Sequence, residues 1–245
     1  MNGEDGAGGT KPGKLFDTTH WSIIQRAQHN SATALNHLFM QYREPLVVHL
    51  LGKQRSRDQA EDLVQGFCVH LLKKDFLANV AERKGKFRSF LLAALNNYLR
   101  DQIDHARAIK RGEGRVPDSL DEVDADGTPN HLAVSPGLTA DQEYDKAWAQ
   151  TVLRNSLRRL EEESTRSAHG SLCRALEPVL FDDETSPSYR DIAVDLNMTE
   201  GAVKVAAHRL RQRLRGLIRD EIMQTVTNET ELEEELAFLI SLFGR

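Results

Sequence analysis

Apolar residues recur every three to four positions from His20 to about Arg111, and again from Gln142 to Phe243, with no strand-period alternation in between. That spacing puts them on one face of an α-helix, whereas a half-buried strand needs a period of two. Trp21, Ile24 and Ala27 begin one stripe, and Leu35, Leu38, Phe39 and Tyr42 form the next. Pro45 begins or kinks a third, carrying Leu46, Val47, Leu50 and Leu51. Leu63, Val64, Phe67 and Leu71 line one side of Ala60–Leu72, and Phe87–Ile109 is apolar in its first half and charged in its second. Trp148, Val152, Leu153, Leu157 and Leu160 follow, then Leu172, Leu176 and Leu180. The expectation is an all-α fold.

Gly112 to Leu138 interrupts this pattern with four glycines, three prolines and interspersed acids. A connection that long is unusual inside one compact domain and predicts two helical domains joined by a flexible acidic linker. The expected divisions are a disordered stretch at 1–17, a helical domain at 18–111, the linker at 112–140, a second domain at 141–222 and an acidic tail helix at 223–245. Gly8 to Lys14 fits part of a phosphate-binding loop, but Leu15 stands where Ser or Thr is required and no strand precedes it. No apolar run is long enough to span a bilayer and the N-terminus has no signal-peptide core, so a cytoplasmic protein without membrane insertion is expected. Two cysteines, Cys68 and Cys173, are too few for a disulfide framework or a cysteine-based zinc site, and read as reduced, buried thiols.

Ser188 to Arg215 reads as two helices joined by a tight turn. Ser188 with Asp191 is a capping-box signal, Ile192, Ala193 and Leu196 form the apolar face, Asn197 and Met198 make the turn, and Thr199 is the next N-cap. On the second helix Val203, Ala206, Ala207 and Leu210 face inward, while its cations lie elsewhere around the surface. This is the pattern of a helix-turn-helix, and equally of an ordinary helical hairpin with a solvated basic face. The net charge of −5 conceals a strong asymmetry. Nine Lys/Arg oppose four acids over Glu82–Arg115, six oppose one over Glu200–Arg219, and seven acids oppose one cation after Arg219. Two basic helices on an acidic chain suit two separate contacts with a polyanion.

The two halves together resemble the extracytoplasmic-function sigma factors of bacterial RNA polymerase. The resemblance lies in DQAEDLVQGFCVHLL (Asp58–Leu72), GKFRSFLLAALNNYLRDQIDHARAIKRG (Gly85–Gly112) and SYRDIAVDLNMTEGAVKVAAHRLRQRLR (Ser188–Arg215). TTHWS (Thr18–Ser22) and the Leu-rich acidic tail ETELEEELAFLISLFGR (Glu229–Arg245) are similar to features of one subgroup. The resemblance implies binding to core RNA polymerase through its β′ coiled coil and β flap, and to promoter DNA, with an anti-sigma factor or other regulator as a further partner. It implies that Asp62, Gln65 and Phe67 contact the polymerase, although Phe67 also belongs to the apolar stripe and reads as core. Gly66 departs from the family, where an acid often stands. The resemblance assigns recognition and melting of the −10 element to Phe87–Arg111, with Asn97 and Tyr98 near the base-capturing pocket and Arg100, Arg107, Lys110 and Arg111 on the backbone. Thr199, Glu200, Lys204, His208, Arg209, Arg211, Arg213 and Arg215 fall to the −35 element. Glu200, Lys204, His208 and Arg211 share one face and suit base edges, while Arg209, Arg213 and Arg215 suit phosphates.

No motif for a catalytic zinc, a paired-carboxylate site or a nucleophile elbow appears, so neither an enzyme nor a cofactor or metal site is expected. A stand-alone helix-turn-helix regulator is the alternative reading, and a helical interaction protein with solvated basic faces is a third. The acidic tail has two readings. It shields the recognition helix or the polymerase-binding face, or it packs to complete the C-terminal domain.

Overall fold

The computed structural model describes residues 32–71, 86–112, 138–181 and 186–243, apart from the side chains of 32–38, 106 and 109–112. The Trp21 stripe, the TTHWS segment and most of the acidic linker lie outside these residues. All regular structure described is helical: α1 (Ala32–Gly52), α2 (Arg57–Leu71), α3 (Phe87–Gly112), α4 (Ala140–Arg166), α5 (Gly170–Leu176), a short 3-10 helix (Glu177–Phe181), α6 (Tyr189–Asp195), α7 (Glu200–Met223) and α8 (Glu229–Phe243). The all-α expectation holds. None of the described helices is long and apolar enough to cross a membrane.

Pro45 neither starts nor ends a helix; it sits buried within α1. A proline there forfeits one backbone hydrogen bond. The loss is offset because Tyr42, Leu46, Val47 and Leu50, on both sides of it, are all buried in one cluster, and splitting the helix would divide that face. The start of α4 also eluded the periodicity. Thr139 accepts from the Gln142 amide while the Gln142 side chain caps the Thr139 amide, a complete capping box.

The main core joins what the sequence divides at residue 141. Leu46, Phe67 and Leu91 from α1–α3 share one cluster with Tyr144, Trp148 and Val152 of α4, with Ile222 near the end of α7, and with Leu232 and Leu239 of α8. α4 is the common element, since its second half helps build a separate cluster of Leu160, Cys173, Leu180, Leu214 and Leu217. α1 and α4 approach closely at Gly52, where an added Cβ would lie 2.9 Å from the Cα of Ala140.

His49 marks the same seam. It is fully buried, with Nδ1 3.2 Å from the Ala140 carbonyl oxygen and Nε2 3.3 Å from Asn96 Oδ1. Burial pushes its pKa below the usual histidine range, despite the hydrogen bonds to Ala140 and Asn96 that pull it up. The folded state therefore binds fewer protons than the unfolded state, so this contribution to stability is present above the unfolded pKa of about 6.5 and is lost as pH falls from there through the folded value. Denaturant midpoints at pH 7.5 and 5.5 should differ more for the wild type than for His49→Gln; equal differences would remove His49 as the source.

Candidate nucleic-acid interface

α6 and α7 form the helix-turn-helix, and both caps lie where the sequence placed them. Ser188 Oγ accepts from the Asp191 amide at 3.2 Å, and Thr199 Oγ1 accepts from the Ala202 amide at 3.2 Å. Asn197 takes the left-handed turn at φ 50°, a conformation asparagine tolerates better than most residues. Ile192, Ala193, Val203 and Ala207 bury against Leu176 and Val179, fixing the angle between the two helices.

The outer face of α7 carries Glu200, Lys204, His208, Arg209 and Arg215, all exposed. Glu200 and Lys204 pair at 2.7 Å; the hydrogen bond to Lys204 holds the Glu200 carboxyl below its ordinary range. His208 Nε2 lies 3.1 Å from Gln212 Nε2. Two of the expected DNA contacts are committed to the protein itself. Arg211 is half-buried and donates to the carbonyls of Val179 and Leu180, capping the 3-10 helix, so it leaves the base-reading set. Arg213 donates from Nε and Nη2 to the two carboxylate oxygens of Glu163, each at 2.7 Å, and ties α7 to α4. The period of 3.6 placed Arg211 on the reading face, but the carbonyls exposed at the end of the 3-10 helix draw it inward.

Three features of this face were missed. Gly201 has open space where a Cβ would stand, Val205 is 50% exposed between Lys204 and His208, and Arg190 is exposed on α6. A small residue and an exposed methyl-bearing one at the start of a recognition helix suit close approach to a groove and contact with a thymine methyl. Val205 could have been found by extending the inward set Val203, Ala206 and Ala207, which skips it.

A second candidate surface lies on α3, where Asn97, Arg100 and Arg107 are exposed together with Asp101 and Asp104, so the charges of the described side chains there balance. Tyr98 is half-buried, its ring 5.8 Å from that of Phe67 and 5.3 Å from that of His70, so it packs in the seam between α2 and α3. The side chains of Lys110 and Arg111 lie outside the described residues. The start of α3 is not free to meet DNA. Lys86 pairs with Glu234 and Glu235, and Arg88 is buried among Glu235, Asp145, Trp148 and Phe238. Part of the charge counted for this segment is thus neutralised by α8.

On α2, Asp62 and Gln65 are exposed beside the buried Ala60, Val64, Phe67 and Leu71. Phe67 is completely buried and cannot serve as a surface contact. Gly66 also gains a reason, because a Cβ there would lie 2.6 Å from the Tyr98 hydroxyl. Alanine at 66 should gain roughly 1 kcal/mol of helix propensity but displace Tyr98. Gly66→Ala is therefore expected to be more stabilising in a Tyr98→Phe background than in the wild type, by about 1 kcal/mol in a double-mutant cycle of urea unfolding. Additive effects would show that the hydroxyl does not limit position 66.

α8 does not cover either candidate surface. Its carboxylates meet Arg219 at the far end of α7 and Lys86 and Arg88 at the start of α3, leaving Lys204, Arg209, Asp62 and Gln65 exposed. Packing, and not shielding, is what the described residues display. No known family model, curated protein or solved structure matches this chain.

Proposed function

We propose that this chain is a cytoplasmic sigma factor of the extracytoplasmic-function type, a promoter-specificity subunit that binds core RNA polymerase and directs initiation. The observation that carries the reading is the capped helix-turn-helix with Lys204, His208, Arg209 and Arg215 exposed on its second helix. That helix would enter the major groove of the −35 element by its N-terminal end, with Arg209 and Arg215 on phosphates. Asn97, Arg100 and Arg107 on α3 would engage the −10 element. Asp62 and Gln65 supply an exposed polar patch on α2 for the polymerase β′ coiled coil. A stand-alone regulator would leave that patch and the α3 surface unused.

Melting requires an unstacked base to find a stacking surface and cations for its phosphates. The exposed part of Tyr98 beside Asn97 and Arg100 is the best-placed surface for this on α3. The test is to add the purified chain to core polymerase on a promoter library. New transcription starts are expected, and duplex binding without co-purification with core would overturn the reading.

A further inference from the structure

α7 turns one narrow row of side chains squarely away from its own core. Val203, Ala207, Leu214 and Leu217 are buried and fix the inward direction. At about 100° per residue, Gly201, Val205, His208 and Gln212 all fall within about 45° of the opposite direction. All four are exposed. Glu200 and Lys204, paired at 2.7 Å, stand to one side of that row, about 85° or more away. Arg209 and Arg215 stand on opposite sides of it, each roughly 60° away.

The two ends of the row differ in chemistry. His208 and Gln212 engage each other, with their Nε2 atoms 3.1 Å apart. Toward the N-terminus the row is small and apolar. Gly201 has nothing within 4 Å of where a Cβ would stand, and Val205 is 50% exposed. Neither helix formation nor packing accounts for this valine. Its branched Cβ lowers helix propensity relative to the alanines beside it, and half of its surface stays in water. Its two methyl groups, beside the gap at Gly201, fit a second apolar surface that approaches closely. In the major groove the apolar group that a base edge presents is the C5-methyl of thymine. Arg209 and Arg215, one on each side of the row, suit the phosphate backbones that border such a groove.

We propose that Val205, set beside Gly201, is a specificity-determining residue of α7 that reads the C5-methyl group of a thymine, so that the upstream element carries a T·A pair where α7 enters the groove. The inference deepens the function proposed above and rests on its helix-turn-helix part. It gives the floor of the contact to the apolar half of the row, and the walls to Lys204, Arg209 and Arg215.

The test selects duplexes from a randomised library with the full chain and core RNA polymerase, then replaces each thymine of the enriched upstream element by uracil. Uracil keeps the base pair and removes only the C5-methyl group. At one position this should weaken binding about fourfold, the worth of one buried methyl group. Cytosine there should cost about tenfold, and 5-methylcytosine should recover about fourfold of that loss. Val205→Ala should weaken binding to the thymine site and abolish the uracil penalty at that position. Alanine is the better helix former at this exposed site, so the far-ultraviolet helix signal should be kept. Gly201→Ala adds a Cβ that meets nothing in the free protein, and should weaken binding without loss of helix. Enriched sites that accept uracil at every thymine, or an equal uracil penalty in the wild type and Val205→Ala, would overturn the methyl contact and leave α7 as the DNA-binding element. If no duplex is enriched, or if Arg209→Ala with Arg215→Ala does not weaken the enriched site, the helix-turn-helix reading falls and the inference falls with it.

Discussion

Arg88→Met is expected to lower the stability of the protein by about 3–5 kcal/mol, read from the denaturant midpoint. Methionine keeps much of the packing against Trp148 and Phe238 but leaves Glu235 fully buried without its bidentate partner. Burial opposes the Arg88 cation, yet the hydrogen bonds and charge of Glu235 outweigh it and hold the guanidinium above its already high range. Burial conversely pushes Asp145 up, against the pull of Arg88. Arg88→Met with Glu235→Leu removes both charges and should recover most of the loss, because the cost lies in a fully buried carboxylate left with Lys86 alone. A double variant no more stable than the single one would show that packing, and not charge, is what Arg88 supplies.

Removing Arg209 and Arg215 together should flatten the salt dependence of duplex binding by about 1.8 in the slope of log affinity against log salt, a loss of tens of fold at 0.1 M salt. Both are exposed and form no ion pair among the described residues, so their charge is available to phosphates. Arg213→Ala should leave the slope unchanged, because that guanidinium is occupied by Glu163, whose carboxyl it holds below the ordinary range. The pair of results is the point. If all three arginines contribute equally, the Arg213–Glu163 bond opens on DNA and the division of roles on α7 is wrong.

The helix-turn-helix was legible in the sequence because its determinants are local. Ser188, Asp191 and Thr199 cap their own helices, and Ile192, Ala193 and Val203 mark the buried face at helical spacing. The exposed Asp62 and Gln65 followed from the stripe beside them. What escaped depends on partners distant in sequence. Nothing near Arg88 announces a carboxylate that lies 147 residues away, and nothing near Arg211 announces the carbonyls of Val179 and Leu180. The acidic, apolar-striped sequence of α8 predicts a helix that needs a partner, but periodicity cannot say that the partner is the start of α3. The sequence places α4 in the second half alone for a similar reason. Its apolar stripe is continuous, and only the packed structure divides it between Trp148 and Val152 in one core and Leu160 in another.

The most direct measurement of the central claim is start-site mapping with core RNA polymerase on a promoter library, with and without this chain. The account predicts new starts that need the chain, share two upstream elements, and are lost in an Asp62→Ala, Gln65→Ala variant that still binds duplex DNA. Duplex binding with no association with core and no new start would contradict it.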